Sequence, residues 1–463
     1  MPANARKDIV REGEIGTYHC WSRCVQRAFL CGYDPVSERD FDYRRGWIED
    51  LLAYLARVFA IDVGNYSVLS NHLHALLRTR PDLAARWSAE EVALRWKLAW
   101  PEFLDGQWVR EPTDAELDML LAQPAKIEQI RRRLGSLSWF MARWKEPIAR
   151  LCNAEMDTRG HFWDARFRSR ELLDDEAVLT CSLYVDLNQS RAGMADSLED
   201  SRHSAIRQRI LAAKEREARA SYDDVQARAL DACRDFSFVQ AHALFADCYL
   251  APIAVEGPLL TTDALRQAQQ RLGLASGDVP ASAARLILPA TVAAPPEQAE
   301  SNERTDAAAP ASAPSADDRQ DAPPEVAAAP GPSPARLRPQ SLPRRASDVP
   351  FLAMALSEYL PLARTLASRI VRERAEPRAT HAAGPDQLDE TGLHAALARW
   401  GINPDVWLAQ LQHLDRQCTR ALGTAERVLR RARDVAQQRF HGITFCRAVF
   451  ATAPAAAPTD GFT

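Results

Sequence analysis

The chain has 463 residues, 46% hydrophobic and 26% charged, and its 58 Lys+Arg against 62 Asp+Glu give a formal net charge of −4. That balance excludes a basic, histone-like coat that holds nucleic acid by charge alone, and no run approaches the ~18 apolar residues of a membrane span. The opening MPANARKDIVREGE is too charged for a signal-peptide apolar region, and nine scattered cysteines do not suggest a disulfide scaffold, so a reducing cytoplasm is the expected setting.

In chain order, GTYHCWSRCVQRAFLCG has the alternating, β-branched and aromatic texture of a first strand. RRGWIEDLLAYLARVFAI places Trp47, Leu51, Leu52, Leu55, Val58 and Phe59 at helical spacing. NYSVLSNHLHALLRT reads as two short strands around a Ser70-Asn71 turn. Helical text with a polar insertion follows, then SLSWFMARWKEPIARLCN, expected to be interrupted at Pro147. DDEAVLTCSLYVDLN reads as a helix with Asp174 or Asp175 as its N-cap. Strand, helix, hairpin, helix, helix is an α+β pattern, an antiparallel sheet with helices.

Beyond that region the composition shifts. Nine of the 11 Trp lie between Trp21 and Trp163, whereas Pro280 to Pro350 holds 14 of the 29 Pro and no aromatic residue. Such a stretch cannot bury enough apolar surface to offset its ordering entropy. Five segments are therefore expected: a mixed α/β domain over 1–215, a helical extension over 216–278, a disordered Ala/Pro-rich linker over 279–350, a helical accessory region over 351–450 and a disordered tail over 451–463.

Two constellations could carry chemistry. His72 and His74 are two apart, so on a strand both imidazoles address one face and could share an ion, with Leu73, Ala75 and Leu77 on the other. Such a pair also occurs as ordinary surface or core histidine. Tyr184 and Asn188 are four apart, so on a helix phenol and carboxamide project together. A phenol is normally inert at neutrality because its pKa is about 10; beside a cation and a phosphodiester it can act as a nucleophile. A helical tyrosine is also a common packing residue.

NHLHALLR followed by YVDLNQSRAGM resembles the single-tyrosine HUH transposases, and more closely the REP-associated branch of the insertion-sequence-200-like superfamily. That family shows a strand with His-apolar-His, then a helix with Tyr-x-x-x-Asn, and often an opening strand with Tyr-His-x-x-x-Arg, matched by Tyr18, His19 and Arg23. The resemblance covers roughly residues 13–210, and WGINPDVWLAQLQHLDRQ through FHGITFCRAVF also looks like the C-terminal part of the longer proteobacterial members.

The resemblance implies an HUH, ferredoxin-like fold for the N-terminal domain, with His72, His74 and Asn188 as metal ligands and Tyr184 as the nucleophile. It implies Mg²⁺ or Mn²⁺ as the ion and single-stranded or hairpin DNA as the partner. Attack by Tyr184 would leave a 5′-phosphotyrosine and a free 3′-hydroxyl, and reversal with another 3′-end would join strands without ATP. Where the family commonly continues Asn-Pro-Val, this chain has Asn188-Gln189-Ser190, so the helix is expected to run on. A non-cleaving, domesticated DNA-binding regulator of the same fold is the alternative; a relaxase or replication initiator is disfavoured by the short catalytic region.

Residues 1–214 carry 31 Lys+Arg against 32 Asp+Glu, so any DNA path must be local. Arg159, Arg166, Arg168 and Arg170 interleave with Phe162, Trp163 and Phe167, as in a single-strand groove, although the aromatics could equally pin a loop to the core. Arg23, Arg166, Arg168, Arg170, Arg191 and Trp163 are the candidate DNA contacts. Arg131, Arg132 and Arg133 read as a solvated helix face, and Cys20 and Cys24 as buried thiols. The C-terminal helices would suit substrate choice, homodimerisation or a host partner. No membrane partner is expected, and the protein should sit in the cytoplasm near the nucleoid.

Overall fold

The computed structural model describes residues 9–227, 245–253, 337–352, 354–374, 387–410, 414, 420–437 and 440–450. Strand β1 (Gly16–Arg23) forms where the alternating text predicts it. Two-residue strands β2 (Tyr33–Asp34) and β3 (Arg39–Asp40) pair with each other ahead of helix α1 (Tyr43–Ala56). Ile48, Leu51, Leu52 and Leu55 bury the helical stripe of α1. β4 (Ile61–Val68) and β5 (His72–Thr79) are the expected hairpin, closed by the Leu69 N–H on the His72 carbonyl at 2.8 Å.

Next come α2 (Pro81–Ala84), α3 (Ala89–Leu98), a small hairpin β6 (Glu102–Leu104) and β7 (Gln107–Val109), then α4 (Asp114–Leu121), α5 (Pro124–Leu134) and α6 (Leu137–Glu155). The break expected at Pro147 does not occur: α6 runs through it. One intrahelical hydrogen bond is forfeited there, but Trp144, Ile148 and Cys152 are buried on either side and hold the helix by packing.

β8 (Arg168–Leu172) leads into α7 (Asp175–Asp186), capped by Asp174, whose carboxylate accepts the Ala177 N–H at 3.0 Å. Leu187 keeps right-handed helical angles and α8 (Asn188–Arg191) continues, as expected where no proline follows Asn188. α9 (Ala205–Ala227) passes without a break through residue 215, where a segment boundary was expected. The C-terminal part supplies α10 (Leu356–Arg374), α11 (Glu390–Arg399), α12 (Pro404–Gln410), β9 (Ala421–Leu422), α13 (Ala425–Asp434) and α14 (Ile443–Val449).

The main sheet has the order β4-β5-β1-β8-β9. It is antiparallel except at its last pair, where β9 runs parallel to β8. The architecture is mixed α and β, as the element pattern predicts. One sheet face, with Tyr18, Cys20, Leu73, Ala75 and Leu77, packs with α1, α3, α5 and α6. The other face, with Leu76 and Leu172, packs with α7 and the C-terminal helices.

Two features of the organisation go beyond the expected segments. Residues 279–336 lie outside the described residues, but 337–350, expected to be linker, are packed on the sheet. Arg78 donates to the carbonyls of Val349 and Pro350, both at 2.8 Å, while pairing with Asp62 at 2.8 Å. Ser347 Oγ donates to Asp62 at 2.7 Å and accepts from Arg80 at 2.7 Å. Proline-rich composition hides this because the partners of the segment are buried charges elsewhere. The region 351–450 is likewise not separate from the sheet: β9 extends it, and Tyr359 donates to Asp186 on α7. Most of 216–278 and all of 451–463 fall outside the described residues.

Candidate functional site

The strand register decides which side chains meet. His74 lies opposite Trp21 and His72 opposite Arg23 across the β1–β5 pair, while Trp21 and His19 face Arg168 and Arg170 across β1–β8. Alternation then puts His19, Trp21, Arg23, His72, His74, Arg168 and Arg170 on one face. It is the face that α7 covers.

There the His19 Nε2 and His74 Nδ1 atoms are 2.8 Å apart, and the rings stack with centroids 5.0 Å apart. Tyr184 presents its ring edge-on to both, with centroids 5.9 Å from His19 and 5.7 Å from His74. His72 stands T-shaped to His74 at 5.1 Å. Its Nδ1 is 2.7 Å from Asn71 Oδ1. The Arg191 guanidinium lies 4.5 Å from the Tyr184 ring centroid. The centre is enclosed: His19 is 0% exposed, His74 1% and Tyr184 3%, with His72 half-buried.

The structure therefore brings His72, His74, Tyr184 and Arg191 together. It adds His19 to them, a residue the sequence marked only as part of an opening-strand motif. Asn188 is 6% exposed on α8, and its buried Nδ2 makes no hydrogen bond among the described residues.

The donor set bears on a cation. His72 Nδ1 meets Asn71 and His74 Nδ1 meets His19; outer hydrogen bonds of this kind orient metal-binding histidines, with Nε2 as the atom that would face an ion. Among the described residues, no group of three or more His, Cys, Asp or Glu side chains is placed to hold a metal ion. On the ligand set that the resemblance implies, a divalent cation would meet two imidazoles, the Asn188 carboxamide and oxygens supplied by substrate and water. That set suits a loosely held, exchangeable ion.

The remaining candidates divide. Trp163 is a packing residue: it is 8% exposed, and its indole donates to the Lys145 carbonyl at 3.0 Å. Phe162 and Phe167 are buried with it, so these aromatics pin the 159–170 loop to the core. Arg170 is fully buried, 5.1 Å from the Trp21 ring centroid, and donates to the Leu414 carbonyl at 2.9 Å. It supports the sheet and does not face solvent. Arg23, Arg166 and Arg168 are exposed.

Arg131 bonds the Ala84 and Trp87 carbonyls, and Arg133 lies 4.6 Å from the Trp139 ring centroid, so only Arg132 of that run is the solvated residue expected. Cys20 and Cys24 are buried thiols outside any disulfide, as predicted. Among the described residues no helix is long and apolar enough to cross a membrane.

No protein-family model matches the chain, and no curated protein matches it. Among solved structures, the chain is similar to a REP-associated tyrosine transposase bound to a REP hairpin, at 12% identity and a TM-score of 0.23. That likeness covers 42% of this chain and 78% of the other. A match at this level is remote and shows neither a shared family nor a shared activity.

Proposed function

We propose that the chain is a metal-dependent single-stranded DNA endonuclease and strand transferase of the HUH type, acting through a 5′-phosphotyrosine, with folded-back repeat hairpins as its substrates. One observation carries the reading: a tyrosine on α7 sits with its ring against two imidazoles that the sheet register brings together, next to a third. When bound, Mg²⁺ or Mn²⁺ would polarise the scissile phosphate and offset charge developing on its oxygens.

The residues of the chain supply the remaining requirements. The Tyr184 oxygen attacks phosphorus; the new phosphorus–oxygen bond forms as the bond to the 3′-oxygen breaks. The departing strand end takes up a proton as its 3′-hydroxyl. The phenolic proton passes to water or to an oxygen of the substrate, while His19 and His74 hold the phenol ring in place. Arg191 holds a permanent positive charge over that ring. Burial excludes bulk water, which protects the phosphotyrosine from hydrolysis and leaves a second 3′-hydroxyl as the competent acceptor.

The alternative of a non-cleaving DNA-binding regulator is favoured by one observation, the 3% exposure of Tyr184, since a nucleophile must reach its phosphate. The two readings separate in one experiment: purified protein mixed with labelled single-stranded hairpin oligonucleotides and Mg²⁺ or Mn²⁺. A denaturation-resistant protein–DNA adduct that Tyr184→Phe abolishes supports the enzyme. Tight binding without any adduct supports the regulator.

A further inference from the structure

At the open end of β1, next to the buried imidazoles, lies a cleft of about 340 Å³ lined by Trp21, Arg23, Gln26, Arg27, Arg166 and Arg168, with Asp164 as its one carboxylate. Arg23, Arg27, Arg166 and Arg168 are all exposed. Arg27, Arg166 and Arg168 make no ion pair among the described residues. Most other arginines of this region are spent internally, as Arg44 is on Glu155 and Arg78 on Asp62. A chain whose first 214 residues balance basic against acidic side chains thus gathers four guanidiniums against one carboxylate at one place.

The backbone there is shaped to do so. Gln26 and Arg27 are consecutive non-glycine residues with φ of 53° and 59°, in the left-handed region. Each costs on the order of 1–2 kcal/mol. The loop is held in that form by the Arg27 N–H on the Cys24 carbonyl at 3.2 Å and the Ala28 N–H on the Val25 carbonyl at 3.0 Å. Asn71 also donates to the Arg27 carbonyl at 3.2 Å. The same Asn71 side chain meets His72 Nδ1 through its oxygen at 2.7 Å. One carboxamide therefore joins the cleft loop to the His72 imidazole.

We infer that this cleft is a binding site for the sugar–phosphate backbone of a single DNA strand, seating two or more phosphates on Arg23, Arg27, Arg166 and Arg168 and leading it toward Tyr184. The inference rests on the proposed strand-cleaving reading and specifies how its substrate is held. Guanidiniums match phosphate oxygens in fork geometry, and the proposed reading makes a single strand the substrate. The Asn71 bridge makes seating of the strand a contact that also bears on His72.

The test is the salt dependence of binding to a labelled single-stranded oligonucleotide, measured by fluorescence anisotropy on the full chain. Each phosphate contact contributes about 0.7 to the slope of log K against log salt for single strands. The double variant R27Q/R166Q should therefore lower the slope by about 1.4 and weaken binding more than tenfold at low salt. Arg132→Gln, exposed and lining a separate cavity beside Thr79 at the other end of β5, should leave the slope unchanged. An unchanged slope in R27Q/R166Q overturns the inference, as does an equal fall in Arg132→Gln or equal loss on duplex and single strand. Adduct formation in the wild type is scored separately. Loss of slope in R27Q/R166Q with no wild-type adduct keeps this site and sinks the nuclease; a wild-type adduct with an unchanged slope does the reverse.

Discussion

His19 Nε2 lies 2.8 Å from His74 Nδ1, with both residues sealed between the sheet and α7. A hydrogen bond between two imidazoles needs one donor and one acceptor. With His74 donating from Nδ1, its Nε2 carries the lone pair that a cation would use, and His19 becomes a positioning residue for it. His19→Ala should lower Mn²⁺ affinity about 10–100-fold, the range for removal of an outer-shell partner. Calorimetric titration of wild type and variant with Mn²⁺ measures this without reference to turnover. Equal affinities would leave His19 a packing residue.

Asp174 ties the start of α7 to the C-terminal part, accepting the Ala177 N–H at 3.0 Å and the Thr424 N–H at 2.6 Å. Burial, aided by the charge of Glu176, pushes its carboxyl up to about 7. Because the folded state holds this proton more tightly than the unfolded chain, the associated stability is complete below the ordinary carboxylate value of about 4. It is lost as pH rises through about 7. Chemical denaturation of the wild type should therefore show a falling midpoint from pH 4.5 to 7.5. Asp174→Asn, which cannot titrate, should lack that part of the slope; an identical slope would exclude Asp174 as its source.

Arg78 is fully buried between Asp62 and the carbonyls of Val349 and Pro350. Arg78→Met removes the bond to both carbonyls and leaves Asp62 with Arg80 and Ser347 as its remaining partners. Breaking one side of a buried charge network costs about 3–5 kcal/mol. The variant should unfold at lower denaturant and be cut by protease within 337–352, where the wild type is protected. Wild-type resistance to cleavage in the variant would mean that the segment is held by other contacts.

Pro147 sits inside α6 and withholds an N–H from the Arg143 carbonyl. Pro147→Ala restores that bond, and after allowance for the freer unfolded chain the gain is about 1–2 kcal/mol. A thermal melt should move upward by a few degrees. A downward shift would show that the ring contributes more by packing beside Trp100 and Phe103 than it costs the helix.

Local pattern revealed the elements but not all of their meetings. The i, i+2 spacing of His72 and His74 and the helical placement of Tyr184 are visible because each depends only on its own strand or helix. The approach of His19 to His74 depends on the β1–β5 register, in which His19 pairs with Leu76 and so lies diagonal to His74; no local spacing encodes it. Trp163 and Arg170 have the composition of a nucleic-acid surface and fill the core instead, because burial is decided by neighbours distant in sequence. Residues 337–350 read as linker for the same reason, since their anchors are Asp62, Arg78 and Arg80. β9 is two residues long and gives no periodic signal at all.

That short strand has a consequence for biogenesis. Leu172 pairs with Leu422, so the β8 edge is covered by a residue 250 positions further along the chain. At about 5–20 residues per second, roughly 12–50 seconds of synthesis separate the two. During that interval β8 presents an open edge, and the side of α7 that the C-terminal helices cover has nothing against it. Unpaired edges of this kind recruit other chains. A nascent protein stalled or cut before residue 421 should therefore be a client of chaperones that mask exposed edges, and the strand that completes the sheet is also what ends that dependence.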